Sequence, residues 1–197
     1  MVRRRGRLTV ITGPMFAGKT SVLIGRARRQ ASVLALKPAF DTRAGAALIR
    51  SRDHSAMPAL PIASWPAEAA GRAALVLDEA QFMTAAHYAG DVVADVLGAV
   101  QDGASVTVSG LDTDYLRRPF EVIARLRAVA DEQVVLRARC HVCGAPAAWT
   151  AKKAETGRLL EVGDQELYKA RCDAHWSRPE AGQAFMADPG RSPDPPL

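Results

Sequence analysis

Gly13, Gly18, Lys19 and Thr20 stand at the spacing G-x-x-x-x-G-K-[ST], and the full stretch reads Gly13-Pro14-Met15-Phe16-Ala17-Gly18-Lys19-Thr20. The apolar run Leu8-Thr9-Val10-Ile11-Thr12 leads directly into it. A strand that delivers the chain to a glycine loop and then a helix turns successive backbone N–H groups toward a polyphosphate at the helix start. In that arrangement Lys19 reaches the β- and γ-phosphates and the Thr20 hydroxyl ligates Mg²⁺. The loop predicts binding of a nucleoside triphosphate.

Such a site needs an acid beside the metal. Leu75-Val76-Leu77-Asp78 is an apolar strand that ends in one, and a carboxylate there holds Mg²⁺ directly or through water next to Thr20. With Asp78 turned to the metal, Glu79 faces the acceptor, where it can take the proton of an attacking hydroxyl. The same carboxylate suits water activation in an ATPase, or an ordinary acid at a helix N-terminus. Spacing alone leaves these three open. Asp78-Glu79-Ala80-Gln81 is assigned as a unit to the donor-nucleotide site, together with the phosphate loop.

Cys140-His141-Val142-Cys143 gives C-x-x-C, and Cys172-Asp173-Ala174-His175 gives C-x-x-H. Two pairs of soft ligands predict a closed tetrahedral Zn²⁺ site at Cys140, Cys143, Cys172 and His175. Four protein ligands leave no open position, so the metal is structural. His141 lies inside the knuckle as a competing ligand. Three cysteines in all argue against a disulfide framework.

The elements that must position these groups alternate along the chain. At 197 residues and 48% hydrophobic, it can bury one good core and a small appendage. Strands are expected at 8–12, at 33–36 before the breaker Lys37-Pro38, at 73–77, at 106–111 and at 134–136. Helices are expected at 21–30, 87–102 and 121–127, with loops and short strands from 41 to 66. Apolar strands alternating with helices predict an α/β fold, a phosphate-loop core with a mainly parallel sheet flanked by helices. Residues 1–138 form that domain in this reading, residues 139–180 a small zinc-binding lasso domain, and 181–197, rich in proline, a disordered tail. The net charge of +5 and pI near 9.4 suit nucleic acid or an anionic nucleotide. Arg3, Arg4, Arg5, Arg7, Arg26, Arg28 and Arg29 carry much of it, a pattern equally typical of a solvated face. No apolar run reaches membrane-span length and the basic N-terminus leads into a strand, so a soluble, cytoplasmic protein is expected. Aromatics are scarce; Phe82, Tyr115, Phe120 and Tyr168 fall beyond strand ends or in the zinc excursion, the edge where open α/β sheets bind ligands.

Taken together these residues resemble the thymidine kinases of the cellular, zinc-lasso type. The resemblance runs from Leu8 to about His175. It rests on the phosphate loop with its leading strand, Lys37-Pro38 with Asp41-Thr42-Arg43, Asp78 to Phe82, Gly110-Leu111-Asp112-Thr113-Asp114-Tyr115, Pro119-Phe120, the C-x-x-C, and Val162-Gly163 through Tyr168 to Cys172. It implies transfer of the ATP γ-phosphate to the 5′-hydroxyl of thymidine, and of deoxyuridine, in pyrimidine deoxynucleoside salvage. It makes Glu79 the general base, places Phe82 and Phe120 about the thymine ring, and lines the 5-methyl pocket with Met15, Leu111 and Tyr168; Tyr115 joins the substrate-binding set. Leu159, Leu160, Glu161, Val162 and Gly163 become the lasso strand whose backbone reads the base edge. A homotetramer restrained by thymidine triphosphate is also implied, with no nucleic acid or membrane partner.

Three departures stand out. The family's Ser/Thr-His pair is replaced by Ser51-Arg52-Asp53-His54, the fourth zinc ligand is His175 where many relatives have cysteine, and Tyr115 replaces a common Phe. The rival readings are a nucleic-acid-dependent ATPase, suggested by the acidic box and basic charge, a non-enzymatic zinc module, and a kinase for another nucleoside. The first lacks room for a second ATPase lobe, and the second leaves Lys19, Thr20, Asp78 and Glu79 without a role.

Overall fold

Every residue of β1 (Leu8–Thr12) is buried, as expected of a strand with both faces covered rather than one washed by water. The computed structural model describes residues 4–43, 45, 47–153 and 167–177. After β1 come α1 (Lys19–Ala27), β2 (Leu34–Pro38), β3 (Leu48–Arg50), β4 (Ala56–Pro58), β5 (Leu60–Ile62), β6 (Ala74–Leu77), α2 (Val92–Gln101), β7 (Ser105–Gly110), α3 (Glu121–Ala128) and β8 (Glu132–Val135). Six of these strands form one sheet in the order β5-β2-β6-β7-β1-β8, every pair parallel. Alternation along the strands divides the core. Leu8, Val10, Leu36, Leu75, Leu77, Val106 and Val108 pack with α2 and α3 on one face. Ile11, Ala35 and Val76 pack with Leu23, Ile24 and Ala27 of α1 on the other, where Ile49 of the β3–β4 hairpin joins them.

Several boundaries differ from the sequence reading, three of them for a local reason. The first helix begins at Lys19, not 21, because Gly18 in the left-handed region (φ 81°) starts it directly from the phosphate loop. The helix expected from 87 begins at Val92. Asp91 caps it by accepting from Val93 N at 3.0 Å, after a turn at Gly90 with φ 110°. Lys37 and Pro38 are the last two residues of β2 instead of following the strand. Ala39 donates to Ile62 of β5, so the alternating backbone turns the proline nitrogen toward β6, whose pairing with β2 has stopped at Leu36.

Beyond β8 the chain makes short antiparallel pairs. β9 (Ala138–Arg139) pairs with β10 (Pro146–Ala147), and β11 (Trp149–Lys152) with β12 (Tyr168–Arg171). Ala138, Cys140, Ala147 and Ala170 form a small core of their own, against which Phe16 and Ala17 of the phosphate loop rest. Leu159, Leu160, Glu161, Val162, Gly163 and the segment 181–197 lie outside the described residues.

Candidate active site

The carboxyl ends of β1, β2, β6 and β7 open into a cavity of about 800 Å³. Open parallel sheets place their ligand crevices at that edge, because the loops leaving the strand ends converge there. Met15, Phe16, Gly18, Lys19 and Thr20 line it from the loop after β1, Asp78, Glu79, Gln81 and Phe82 from the loop after β6, and Leu111, Tyr115 and Phe120 from the loop after β7. Thr150 and Tyr168 reach it from β11 and β12. Among the residues assigned to the donor nucleotide, Gly13, Pro14, Ala17 and Ala80 are not part of the lining. Ala80 is wholly buried in the core, and Pro14 contributes its carbonyl, which accepts from Lys19 Nζ at 2.8 Å.

The phosphate loop owes its shape to glycine. Gly13 has φ 147°, and a Cβ there would sit 2.5 Å from the Leu136 carbonyl oxygen. Met15 N donates to Thr150 Oγ1 at 3.0 Å. Phe16 adopts φ 70°, unusual for a side chain of that bulk; its ring packs against His141 at 4.9 Å and under the Arg52 guanidinium at 3.9 Å.

Thr20 Oγ1 donates to Asp78 Oδ2 at 3.0 Å, and Ser109 Oγ donates to Asp78 Oδ1. A strand-end carboxylate thus meets the hydroxyl at the start of α1, the pair that a divalent cation would bridge. Burial, and then the adjacent charge of Glu79, pushes Asp78 up to about 6, in spite of the Ser109 and Thr20 hydrogen bonds and the charge of Lys19. Burial lowers the Lys19 ammonium, with Glu79 and Asp78 working against it. A polyphosphate arriving there would supply the missing negative charge.

Glu79 sits in the left-handed region (φ 54°, ψ 39°), the kind of backbone strain that tertiary contacts must hold in place. Arg43 Nη2 lies 2.8 Å from its Oε1, and Gln81 Nε2 donates to its Oε2. Burial alone would raise its pKa, but the charges of Arg43 and Lys19 with the Gln81 hydrogen bond hold it below the ordinary carboxylate range. Two neighbouring acids are therefore driven apart: Asp78 upward, Glu79 downward. Arg43 is itself gripped by Asp41, with Nε and Nη2 donating at 2.8 and 2.9 Å. Gln81 also accepts from Leu111 N at 3.0 Å, linking the loops after β6 and β7.

Sequence reasoning gave no individual role to Arg43, Ser109 or Thr150. Arg43 carried a signal, the Asp41-x-Arg43 spacing that allows a local two-pronged ion pair. Ser109 was legible only as a small polar residue near the end of a strand, and Thr150 carried none. Arg52 and His54 both line the cavity.

The donor atoms of Cys140, Cys143, Cys172 and His175 all lie within 4.8 Å of one another. Cys143 Sγ is 3.8 Å from Cys172 Sγ, and His175 Nδ1 is 3.2 and 3.9 Å from the Cys172 and Cys140 sulfurs. Tetrahedral zinc, at about 2.3 Å from sulfur and 2.0–2.1 Å from nitrogen, requires edges of roughly 3.8 and 3.6 Å. Burial alone would raise the Cys140 thiol, yet backbone N–H groups of Cys143, Cys172 and Val142 aimed at its sulfur draw it down to about 6, toward the thiolate that zinc binds. The residues fit a closed structural zinc site, with His141 turned away to Phe16.

Fold and cleft define a phosphate-loop α/β protein with a Cys₃His module on the flank of its site. Residues 6–176 match the family described as Thymidine kinase, and the chain belongs to that family. It is 36% identical to the thymidine kinase of Coprothermobacter proteolyticus over 91% of this chain and 94% of that one. It is 35% identical to the thymidine kinase of Mycoplasma genitalium (88% and 84% covered) and 33% to that of Bdellovibrio bacteriovorus (91% and 89%).

Proposed function

We propose that the protein transfers the γ-phosphate of ATP to the 5′-hydroxyl of thymidine, and of deoxyuridine, giving the nucleoside monophosphate for salvage. The observation that carries this reading is Glu79, ionised and fixed by Arg43 and Gln81, next to the Thr20–Asp78 pair in one cavity. The backbone of the phosphate loop with Lys19 holds the donor's phosphates, and Thr20 and Asp78 would hold Mg²⁺, which neutralises charge developing on the transferring group. Glu79 accepts the proton of the attacking hydroxyl. In the loose transition state typical of phosphoryl transfer that proton leaves late, so a carboxylate of low basicity suffices. Arg43 keeps that carboxylate aimed and ionised.

Phe82, Phe120 and Tyr115 offer ring faces for a pyrimidine, while Met15, Leu111 and Tyr168 form the apolar side that suits a 5-methyl group. By likeness to the family, residues 159–163 would supply backbone groups for the base edge. A site built to pair those polar edges rejects bases that leave them unpaired. The Cys₃His cluster would bind one structural Zn²⁺. Among the described residues no helix is long and apolar enough to cross a membrane. We assign the enzyme to the cytoplasm and to a homotetramer, by likeness to its family.

The test is product formation from ATP–Mg²⁺ with thymidine, deoxyuridine, deoxycytidine and deoxyguanosine, alongside ATP hydrolysis with single-stranded DNA. Monophosphates from thymidine and deoxyuridine alone support the proposal. DNA-stimulated hydrolysis without a nucleoside product would reassign Glu79 to water activation.

A further inference from the structure

Arg117, on the loop between β7 and α3, leaves that loop to lie between two indoles of the zinc module. Its Cζ is 4.1 Å from the Trp149 ring centroid and 3.9 Å from that of Trp176. Trp149 opens β11, and Trp176 follows the ligand His175 directly, with its backbone N–H donating to the Cys172 carbonyl at 3.0 Å. Asp173, inside the C-x-x-H turn, accepts from Trp149 Nε1 at 2.7 Å and lies 3.6 Å from Arg117 Nη2. Arg117 has φ 64°, a conformation a long side chain adopts only when its surroundings impose it. Asp114 imposes it. Its carboxylate, almost entirely buried, accepts from Leu116 N, Arg118 N and Arg118 Nε at 2.8–2.9 Å, while Arg117 N donates to the Asp114 carbonyl at 3.1 Å. The loop is thus wound tightly around one acid and presents one guanidinium to the zinc turn.

The same loop carries Leu111, Tyr115 and Phe120 into the cavity. We propose that Arg117 is a positioning residue for the nucleoside half of the site: it clamps this loop to the Cys172–His175 half of the metal cluster through the Trp149–Arg117–Trp176 stack. The chemistry favours arginine. A planar guanidinium can stack on two ring faces at once and still meet a carboxylate in its own plane, which an ammonium cannot. Among the described residues the phosphate loop meets the module through Thr150, His141 and the small core around Cys140, whereas the clamp meets it through Trp149, Asp173 and Trp176, so the clamp should act mainly on the acceptor.

The proposal rests on the nucleoside kinase reading, and two of its readouts do not depend on turnover. In the full-length protein with zinc bound, Arg117→Met should red-shift the tryptophan emission and increase its quenching by acrylamide, since two of the three tryptophans lose their cover. It should also hasten zinc release to a chromophoric chelator several-fold. In assay, the KM for thymidine should rise about tenfold, with the KM for ATP changed less than twofold and kcat little affected. Arg117→Lys should recover part of each effect. Unchanged emission and zinc release in Arg117→Met would overturn the clamp whatever the enzyme's substrate proves to be. Equal rises in both KM values would reduce Arg117 to a general stabilising contact. If thymidine is not phosphorylated at all while emission and zinc release do shift, the clamp stands and the substrate reading fails.

Discussion

The phosphate loop and the loop from Leu111 to Phe120 line one cleft, yet they are held by different means. The phosphate loop takes its shape mainly from its own residues: Gly13 leaves no room for a Cβ beside the Leu136 carbonyl, Gly18 turns left-handed into α1, and Lys19 reaches back to the Pro14 carbonyl. The 111–120 loop has one local anchor, Asp114, and otherwise relies on distant partners. Its shape depends on the Asp114 carboxylate, on Gln81 accepting from Leu111 N, and on Arg117 gripping residues 32 and 59 positions away. A site for phosphate, which every nucleotide shares, can be written into a short motif. A site for one base needs surfaces gathered from several loops, and its precision then depends on whatever joins them.

The largest break in this arrangement is expected at Glu79, where the two halves meet. Glu79→Gln keeps the shape and removes the base. We expect kcat to fall about 10²–10⁴-fold with ATP binding nearly unchanged; single-turnover kinetics with a nucleotide-binding measurement checks it, and an unaltered rate removes Glu79 from the mechanism.

Zinc removal comes next. Metal analysis should give one Zn²⁺ per chain, and chelation should loosen the segment from Cys140 to His175 and weaken thymidine binding roughly tenfold or more. Hydrogen exchange locates the loosening. An equal loss of ATP affinity would show that the phosphate loop depends on the module beneath Phe16 as much as on its own glycines.

In the zinc-bound enzyme, where the metal keeps Cys140 as its thiolate, acid should act first on the donor half. Because the Asp78 pKa lies at about 6, lowering the pH from 7.5 to 5.5 protonates most of it and removes a metal ligand, whereas Glu79, held below the usual range, stays ionised. Activity at limiting Mg²⁺ should drop about three- to fourfold, and excess Mg²⁺ should restore it. A loss that excess metal does not reverse would move the titrating group elsewhere.

The smallest effect concerns stability. A carboxylate whose pKa is raised on folding stabilises the fold fully below its unfolded value and loses that contribution as the pH rises through the folded value. At pH 7 the ionised Asp78 therefore opposes folding. Asp78→Asn should raise Tm by about 3–6 °C, corresponding to roughly 1–2 kcal/mol, while activity falls. A lower Tm would mean that the hydrogen bonds from Thr20 and Ser109 outweigh the buried charge.

Much of the architecture is legible because the periodicity is strong. Leu75 to Leu77 and Val106 to Val108 read as buried strands and are buried strands. The misjudged boundaries at Lys19, Val92 and Pro38 lie where a single glycine, a single cap or the end of a neighbouring strand decides, and window-averaged hydrophobicity does not register those. The metal cluster is equally legible in its ligands, since thiol and imidazole spacing is a covalent property of the chain.

What the amino-acid order determined by itself is therefore the local chemistry: a glycine loop fit for phosphate, an acid at the end of a strand, and four soft ligands in two pairs. Tertiary structure alone decided that Arg43 neutralises Glu79, that Asp78 and Glu79 shift in opposite directions, and that Arg117 lies between two tryptophans. These depend on burial and on charges brought together across tens of residues. Electrostatic energy follows distance through space and the solvent excluded from it, and neither is a function of separation along the chain.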